Sequence, residues 1–166
     1  MIDGPPRPAA IVFDWDNTLV DTWPVIHESL MVTLSAMGHE PWTFEELSAS
    51  DVHVAVLSNK TGMYLRAEAL HLGWSGYFDS LVGAGDAARD KPAPESLQLA
   101  LARAPVQPGP KVWIVGDAGI DMEIAHRTGC LPVLLHRDAG DPEFAAWPPT
   151  HCFASCRGLL EYITGW

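Results

Sequence analysis

The sequence predicts an α/β fold in which a parallel β-sheet carries helices on both faces. Short, continuous runs of apolar residues alternate along the chain with segments of helical periodicity. Apolar runs without polar interruption are typical of strands that are covered on both faces, as in parallel sheets. Alternating strands and helices supply the crossovers that parallel strands need. The length of 166 residues is that of one domain, and no internal repeat divides it.

Six strands are predicted from the apolar runs. In chain order they are Ala9–Phe13, Val52–Leu57, Phe78–Val82, Lys111–Val115, Leu131–Leu135 and His151–Phe153. The first, second and fourth runs are the clearest; Asp14 and Ser58 directly follow the first and the second, and Gly116-Asp117 follows the fourth.

Four helices are predicted between these strands, from apolar residues at three- and four-residue spacing or from a capping pattern. They are Trp23–Met37 before Gly38, a short helix beginning at Thr43, Met63–Leu70 before Gly73, and Leu97–Ala104 after Pro94. The segment Thr43-Phe-Glu-Glu46 has the form of a capping box, in which the first and fourth side chains satisfy free backbone N–H groups.

The charge and the apolar pattern exclude several classes of protein. Ten lysine and arginine residues stand against 21 aspartate and glutamate residues, a formal net charge of −11. This charge argues against electrostatic binding to nucleic acid or to an anionic membrane. The longest apolar run, Ala9–Phe13, is far shorter than the roughly 20 residues of a membrane span. Since the N-terminal residues also lack the apolar stretch of a secretory signal, we expect a cytoplasmic protein.

Polar side chains gather at the ends of the predicted strands. Asp14 and Asp16 follow the first strand, Ser58 follows the second, and Asp117 and Asp121 follow the fourth. Open α/β sheets place their sites beyond the carboxyl ends of the strands. A carboxylate pair is a suitable ligand set for a hard divalent cation. Each cluster alone is typical of a solvated loop, but their joint placement at one edge indicates a functional site.

The sequence resembles the haloacid dehalogenase (HAD) superfamily of phosphotransferases in four motifs that occur in the family's order. Asp14-x-Asp16-x-Thr18 resembles the first motif, Ser58 the second, Lys91 the third, and Gly116-Asp117-x-x-x-Asp121 the fourth. The resemblance covers Ile11 to Cys130 and implies a three-layer, Rossmann-like HAD core around a parallel sheet.

The resemblance implies phosphoryl transfer and a role for each acidic residue. Asp14 would be the nucleophile that forms an aspartyl-phosphate, and Asp16 would protonate the leaving oxygen and then deprotonate the attacking water. Mg²⁺ would be held by the carboxylates of Asp14 and Asp117 and by the backbone carbonyl of Asp16. Asp121 would be a ligand through water or an indirect partner. The metal and Lys91 would neutralise the repulsion between nucleophile and phosphate.

The resemblance also implies a set of groups that bind the phosphate of the substrate. Ser58 and Lys91 would bind phosphate oxygens with their side chains, and the backbone N–H groups near Trp15 and Asn59 would add to them. Thr18 would support the geometry of the loop after the first strand. The Trp15 side chain either shapes the substrate entrance or packs in the core, and the sequence leaves both open.

The expected core domain comprises residues 1–21 and 51–166, with residues 22–50 as a short helical cap segment or its remnant. Most small-molecule phosphatases of the superfamily carry a cap between the first and second motifs, and caps exclude water and contact the substrate. About 30 residues suffice for two short helices but not for a helical bundle. Either the site is nearly capless, open to bulky substrates or to a partner subunit as lid, or a longer natural protein contains cap residues that this chain lacks. An intact mass near 18.1 kDa would dismiss the second reading.

These observations predict a Mg²⁺-dependent phosphatase that hydrolyses a phosphomonoester through an aspartyl-phosphate on Asp14. Asp16 favours phosphoryl transfer over dehalogenation, because halide leaves without a proton. The motifs suggest phosphoglycolate-phosphatase-like enzymes as relatives, and hence a phosphorylated small molecule as substrate. The alternatives are a phosphoacceptor signalling module resembling receiver domains and a non-catalytic binding protein on the same fold. The oligomeric state is not predicted.

Overall fold

The computed structural model describes residues 8–20, 52–135, 137–155, 158–159 and 162. The strands are β1 (Ala10–Phe13), β2 (His53–Thr61), β3 (Ser80–Ala84), β4 (Val112–Gly116), β5 (Leu131–Leu135) and β6 (His151–Phe153). The α-helices are α1 (Gly62–His71), α2 (Pro94–Ala100) and α3 (Gly119–Thr128), and short 3-10 helices cover Ser75–Tyr77 and Pro142–Phe144. None of the helices within these ranges is long and apolar enough to cross a membrane.

The six strands form one parallel sheet in the order β3-β2-β1-β4-β5-β6. β1 lies near the centre, where Phe13 pairs with Val56 of β2 and with Val115 of β4. Chain connections run outward in opposite directions from β1 and β4, and ligands bind open α/β sheets at such a switch point. The residues that end these neighbouring strands therefore meet at one edge of the sheet.

The apolar side chains of the sheet form a core on each face. Successive residues of a strand point to opposite faces, so Ile11 and Phe13 join one core while Ala10 and Val12 join the other. Helix α1 packs on the first face, and α2 and α3 pack on the second. Both faces of β1 are fully buried, which explains why its sequence is continuously apolar.

All six predicted strands are confirmed: β5 and β6 have the predicted bounds, and the bounds of the other four are shifted. β2 continues to Thr61, so Ser58 lies inside this strand rather than after it. The polar residues beyond Leu57 do not end the strand, because backbone pairing with β3 resumes at Thr61 and Ala84 after an irregularity. β3 begins at Ser80 rather than at Phe78.

Two of the predicted helices are confirmed as α1 and α2, although α2 runs Pro94–Ala100 rather than to Ala104. Helix α3 has no counterpart among the predictions, because its buried face includes a carboxylate, Asp121, at a position where an apolar residue marks the pattern. The predicted helices at Trp23–Met37 and from Thr43, and with them the cap segment 22–50, lie outside the described residues.

Candidate active site

The loop that follows β1 turns back on itself and brings Thr18 to Asp14. Val20 closes the turn, because its carbonyl accepts the Asn17 N–H at 2.7 Å and its N–H donates to the Trp15 carbonyl at 2.9 Å. Asn17 adopts a positive φ of 58°, a conformation that asparagine tolerates better than most residues. The Thr18 hydroxyl lies 3.5 Å from Oδ2 of Asp14. The first motif is thus a compact turn at the end of the central strand.

Lys91 lies at the centre of the site, between two carboxylates. Its Nζ is 2.6 Å from Oδ1 of Asp14 and 2.7 Å from Oδ1 of Asp121. All three side chains are buried. Burial works against the charge of Lys91, but Asp121 and Asp14 outweigh it, and the pKa of Lys91 lies above its ordinary value. The lysine is therefore a fixed cation against the predicted nucleophile.

Three carboxylates converge beside this lysine. One oxygen from each of Asp14, Asp117 and Asp121 lies within 4.8 Å of the others. Burial, helped by the neighbouring charge of Asp14, raises the pKa of Asp117. Burial raises the pKa of Asp14 to about 6, in spite of the opposing effect of Lys91. Three acids with one lysine leave excess negative charge in a buried site, and oxygen ligands of this kind suit Mg²⁺.

Asp121 is already engaged within the protein. Its Oδ1 accepts from Lys91, and its Oδ2 accepts the backbone N–H of Ala118 at 3.2 Å. Gly116 permits this arrangement, since an added Cβ there would lie 2.3 Å from the Asp121 carboxyl carbon. Both carboxylate oxygens of Asp121 thus have partners within the protein. The Thr18 hydroxyl lies between the other two carboxylates, 3.4 Å from Oδ1 of Asp117.

The second motif meets the loop of Lys91 at the end of β2. The Asn59 side-chain amide donates to the Lys91 carbonyl at 3.2 Å and ties the two segments together. The Ser58 hydroxyl is buried and accepts the backbone N–H of Lys60 at 3.1 Å. The Asn59 side chain therefore has a structural task, and only its backbone N–H stays a candidate for binding phosphate. The Lys91–Pro92 peptide bond is cis.

The side chain of Trp15 packs in the core. Its exposed fraction is 0%, and its ring makes edge contacts with Trp74 and Phe78 at centroid distances of 6.0 and 6.3 Å. Of the two possibilities that the sequence left open, a part for the indole in the substrate entrance is wrong, because a fully buried ring cannot line an entrance. The backbone N–H of Trp15 remains a candidate donor to phosphate.

Asp16 stands apart from the three converging carboxylates and has partners that the sequence did not indicate. Its Oδ1 is 2.9 Å from Nζ of Lys60, and this nitrogen is also 2.6 Å from Oε2 of Glu68. The Trp15 indole N–H donates to the same Glu68 oxygen at 2.9 Å. Lys60 lies two residues after Ser58, and this closeness to the second motif is the one signal in the sequence that could have pointed to it.

The fold and these contacts define an α/β protein with a buried acidic site, able to bind a divalent cation, at the switch point of a parallel sheet. Residues 38–134, more than half of the chain, match the family described as haloacid dehalogenase-like hydrolase. The chain belongs to this family.

The relatives that resemble the chain agree with this membership. A phosphoglycolate phosphatase from Aquifex aeolicus is 35% identical over 89 residues, which are 54% of this chain and 41% of that protein. The match thus spans less than half of that relative's length. A HAD-superfamily hydrolase from Ehrlichia chaffeensis has a TM-score of 0.71 at 23% identity, over 96% of this chain and 97% of its own. The HAD-hydrolase YfnB from Bacillus subtilis, solved bound to magnesium, has a TM-score of 0.71 at 11% identity, over 95% and 99% of the two chains. At such identities these structures establish the fold.

Proposed function

We propose that the chain is a Mg²⁺-dependent phosphatase that hydrolyses a phosphomonoester through an aspartyl-phosphate on Asp14. One observation carries the proposal: Nζ of Lys91 lies 2.6 Å from the Asp14 carboxylate, while Asp117 and Asp121 converge on the same point. A phosphoryl group that approaches Asp14 needs positive charge on both sides, because nucleophile and phosphate repel each other. Lys91 supplies one part of this charge, and the acidic cluster can recruit the other.

The donor set beside Asp14 fits Mg²⁺. Carboxylate oxygens are its preferred protein ligands, and the carboxylates of Asp14 and Asp117 with the backbone carbonyl of Asp16 would hold it. Asp121 would act through water or through its neighbours. When bound, Mg²⁺ supplies charge neutralisation to the phosphate oxygens and the attacking carboxylate. The HAD-hydrolase YfnB from Bacillus subtilis, which was solved bound to magnesium, supports the choice of Mg²⁺ as the ion.

The residues of the chain account for both chemical steps. A carboxylate oxygen of Asp14 forms a bond to phosphorus while the bond from phosphorus to the leaving oxygen breaks, and Asp16 gives its proton to that oxygen. Asp16, now ionised, takes a proton from a water molecule, which attacks the phosphorus of the aspartyl-phosphate. Inorganic phosphate leaves, and Asp14 is a carboxylate again. Lys91 and Ser58 hold the phosphate oxygens throughout.

We propose a small phosphomonoester of the phosphoglycolate type as the substrate. We also propose that residues 1–21 and 51–166 form the core domain and that residues 22–50 are a short helical cap segment or its remnant. The name of the matching Aquifex aeolicus protein, phosphoglycolate phosphatase, supports this substrate class. The cytoplasmic location remains a prediction.

The test is phosphate release from a panel of phosphomonoesters, including phosphoglycolate and an aryl phosphate, in Mg²⁺ and in chelator. We expect the wild-type protein to release phosphate in Mg²⁺ but not in chelator. The Asp14→Asn variant should release none in either condition, because the amide cannot attack phosphorus. Asp79→Asn is the matched control, since Asp79 accepts the N–H of Val54 at the amino end of β2, remote from the site. Near wild-type release by Asp14→Asn would refute the assignment, and a lasting phosphorylated Asp14 without turnover would favour the phosphoacceptor alternative.

A further inference from the structure

A chain of contacts outside the three converging carboxylates ends on Asp16. The Trp15 indole donates to Glu68 at 2.9 Å, Glu68 binds Lys60 at 2.6 Å, and Lys60 binds Oδ1 of Asp16 at 2.9 Å. We propose that Lys60 is a positioning residue that fixes the Asp16 side chain for proton exchange at the phosphoryl site. The inference rests on the proposed function and names a part of it that no motif of the resemblance contains.

The partners of Lys60 are themselves held by the fold. The Trp15 ring is fully buried and packs against Trp74 and Phe78, and this packing fixes the direction in which the indole N–H points. This N–H fixes Glu68 on α1, and Glu68 in turn restrains the lysine side chain, which would otherwise sample many rotamers. The position of the Lys60 ammonium is thus set by a strand, a helix and a core tryptophan before it contacts Asp16.

Lys60 also separates two carboxylates. Asp16 and Glu68 both contact its Nζ, so that loss of the ammonium would remove the group that holds these two side chains at one point. We expect Asp16 to lose its fixed direction in that case. Proton transfer depends on such placement, because donor and acceptor must come within hydrogen-bond reach.

Because the side chains of Asp16, Lys60 and Glu68 are partly exposed, a positioning role of Lys60 can be distinguished from a contribution to stability. The side chains of Asp16, Lys60 and Glu68 are 32%, 20% and 44% exposed, and ion pairs of this kind contribute little to folding. A large effect of Lys60 on turnover in a folded protein would therefore report on the placement of Asp16. In contrast, Lys91 is buried against the nucleophile itself.

The test compares kcat/KM of Lys60→Met for an alkyl phosphate and for p-nitrophenyl phosphate, both in Mg²⁺. This ratio covers the steps up to departure of the leaving group, and nitrophenolate leaves without much help from an acid. We expect a fall of about tenfold or more for the alkyl ester and of less than about threefold for the aryl ester. Lys60→Arg should recover most of the loss. Arg127→Met, which removes the exposed ion pair with Glu123 on α3, is the matched control.

A double variant tests whether Lys60 acts through Asp16. With Asp16→Asn already in place, Lys60→Met should change kcat/KM by less than about twofold, because residues that act as a unit are not additive. Equal losses for both esters, or additive losses with Asp16→Asn, would overturn the inference while leaving the phosphatase intact. Wild-type protein that releases no phosphate from any ester would instead overturn the proposed function. Whatever the activity, a crystal structure of Lys60→Met with the Asp16 carboxylate unmoved would refute the positioning role.

Discussion

Lys91 is the residue on which the electrostatics of the site depend. Its ammonium is buried between Asp14 and Asp121, where two carboxylates without a cation would repel each other in a medium of low polarity. A buried ion pair is weak evidence for net stability, but removal of one partner leaves a buried charge uncompensated. The ammonium of Lys91 therefore stabilises the resting site, apart from its proposed contact with the phosphate.

Replacement of this lysine should destabilise the protein strongly. We expect Lys91→Met to lower the free energy of unfolding by about 3–5 kcal/mol in chelator, and by less in Mg²⁺, which can take over part of the neutralisation. Lys60→Met, at a partly exposed ion pair, should cost less than about 1 kcal/mol. Urea unfolding at neutral pH measures both. Equal stabilities of the two variants would contradict the assignment of Lys91 as a buried counter-ion.

The pKa of Asp14 gives the site a dependence on pH. Burial raises this pKa from 3.8 to about 6, so the folded state favours the neutral carboxyl. Its contribution to stability in chelator is then complete below the unfolded pKa and is lost as the pH rises through about 6. Binding of Mg²⁺ would instead favour the ionised form of Asp14, because a carboxyl group must lose its proton to bind a metal ion.

Stabilisation by Mg²⁺ should therefore grow with pH. We expect the rise in Tm on replacing chelator with Mg²⁺ to be larger at about pH 7.5 than at about pH 5, where protons compete for the carboxylates. Thermal unfolding in paired samples at each pH measures this difference. Asp117→Asn, which removes one proposed ligand, should reduce the rise at both values. A rise that does not change with pH would argue against a metal site built on Asp14.

At the scale of elements, the junction of β4 and α3 builds the acidic half of the site. β4 ends at Gly116, and α3 begins at Gly119. The Asp121 carboxylate folds back over this junction and accepts the Ala118 N–H. A Cβ at Gly116 would lie 2.3 Å from the Asp121 carboxyl carbon, so the close approach requires glycine.

Gly116→Ala should displace Asp121 and damage both stability and metal binding. We expect a loss of about 1–3 kcal/mol, as in other overpacked positions, together with a smaller rise of Tm in Mg²⁺. Gly76→Ala is the matched control, because no atom lies within 4 Å of its added Cβ. Unfolding curves of both variants, with and without Mg²⁺, test this. Wild-type behaviour of Gly116→Ala would show that the junction tolerates a side chain.

The strands could be predicted from the sequence because burial on both faces demands apolar residues at every position. β1 is such a strand, and its bounds differ from the prediction by one residue. The end of β2 could not be predicted, since Ser58, Asn59 and Lys60 interrupt the apolar pattern while backbone pairing with β3 resumes at Thr61. Helix α3 was not predicted for a related reason. Asp121 occupies a buried position of this helix, where an apolar residue would mark the helical pattern.

The site was predictable where residues lie in recognisable motifs and not where they depend on three-dimensional contacts. Asp14, Lys91 and Asp117 follow from the resemblance, whereas the contact of Lys60 with both Asp16 and Glu68 needs the packing of α1 against β2. Placement of the Trp15 ring in the core likewise depends on Trp74 and Phe78, which come from a distant part of the chain.

At the scale of the whole molecule, the parallel sheet gathers groups that are far apart in sequence. The turn after β1, the end of β2, the loop of Lys91 and the start of α3 all reach the edge where the strand order reverses. This arrangement places a fixed cation, Lys91, at the candidate site of a chain with a formal net charge of −11. The overall charge repels anions at a distance, so recognition of a phosphorylated substrate has to be local.

Peptide mass spectrometry of acid-quenched protein can detect a phosphoryl group on Asp14, the acceptor that we propose. The protein is mixed briefly in Mg²⁺ with a phosphomonoester that it hydrolyses, and is then quenched. The peptide that contains Asp14 should carry a phosphoryl group that hydroxylamine removes, as expected of an acyl phosphate. Asp14→Asn should remain unlabelled. Phosphate release without any label on Asp14, or with a label on another residue, would show that Asp14 is not the phosphoryl acceptor.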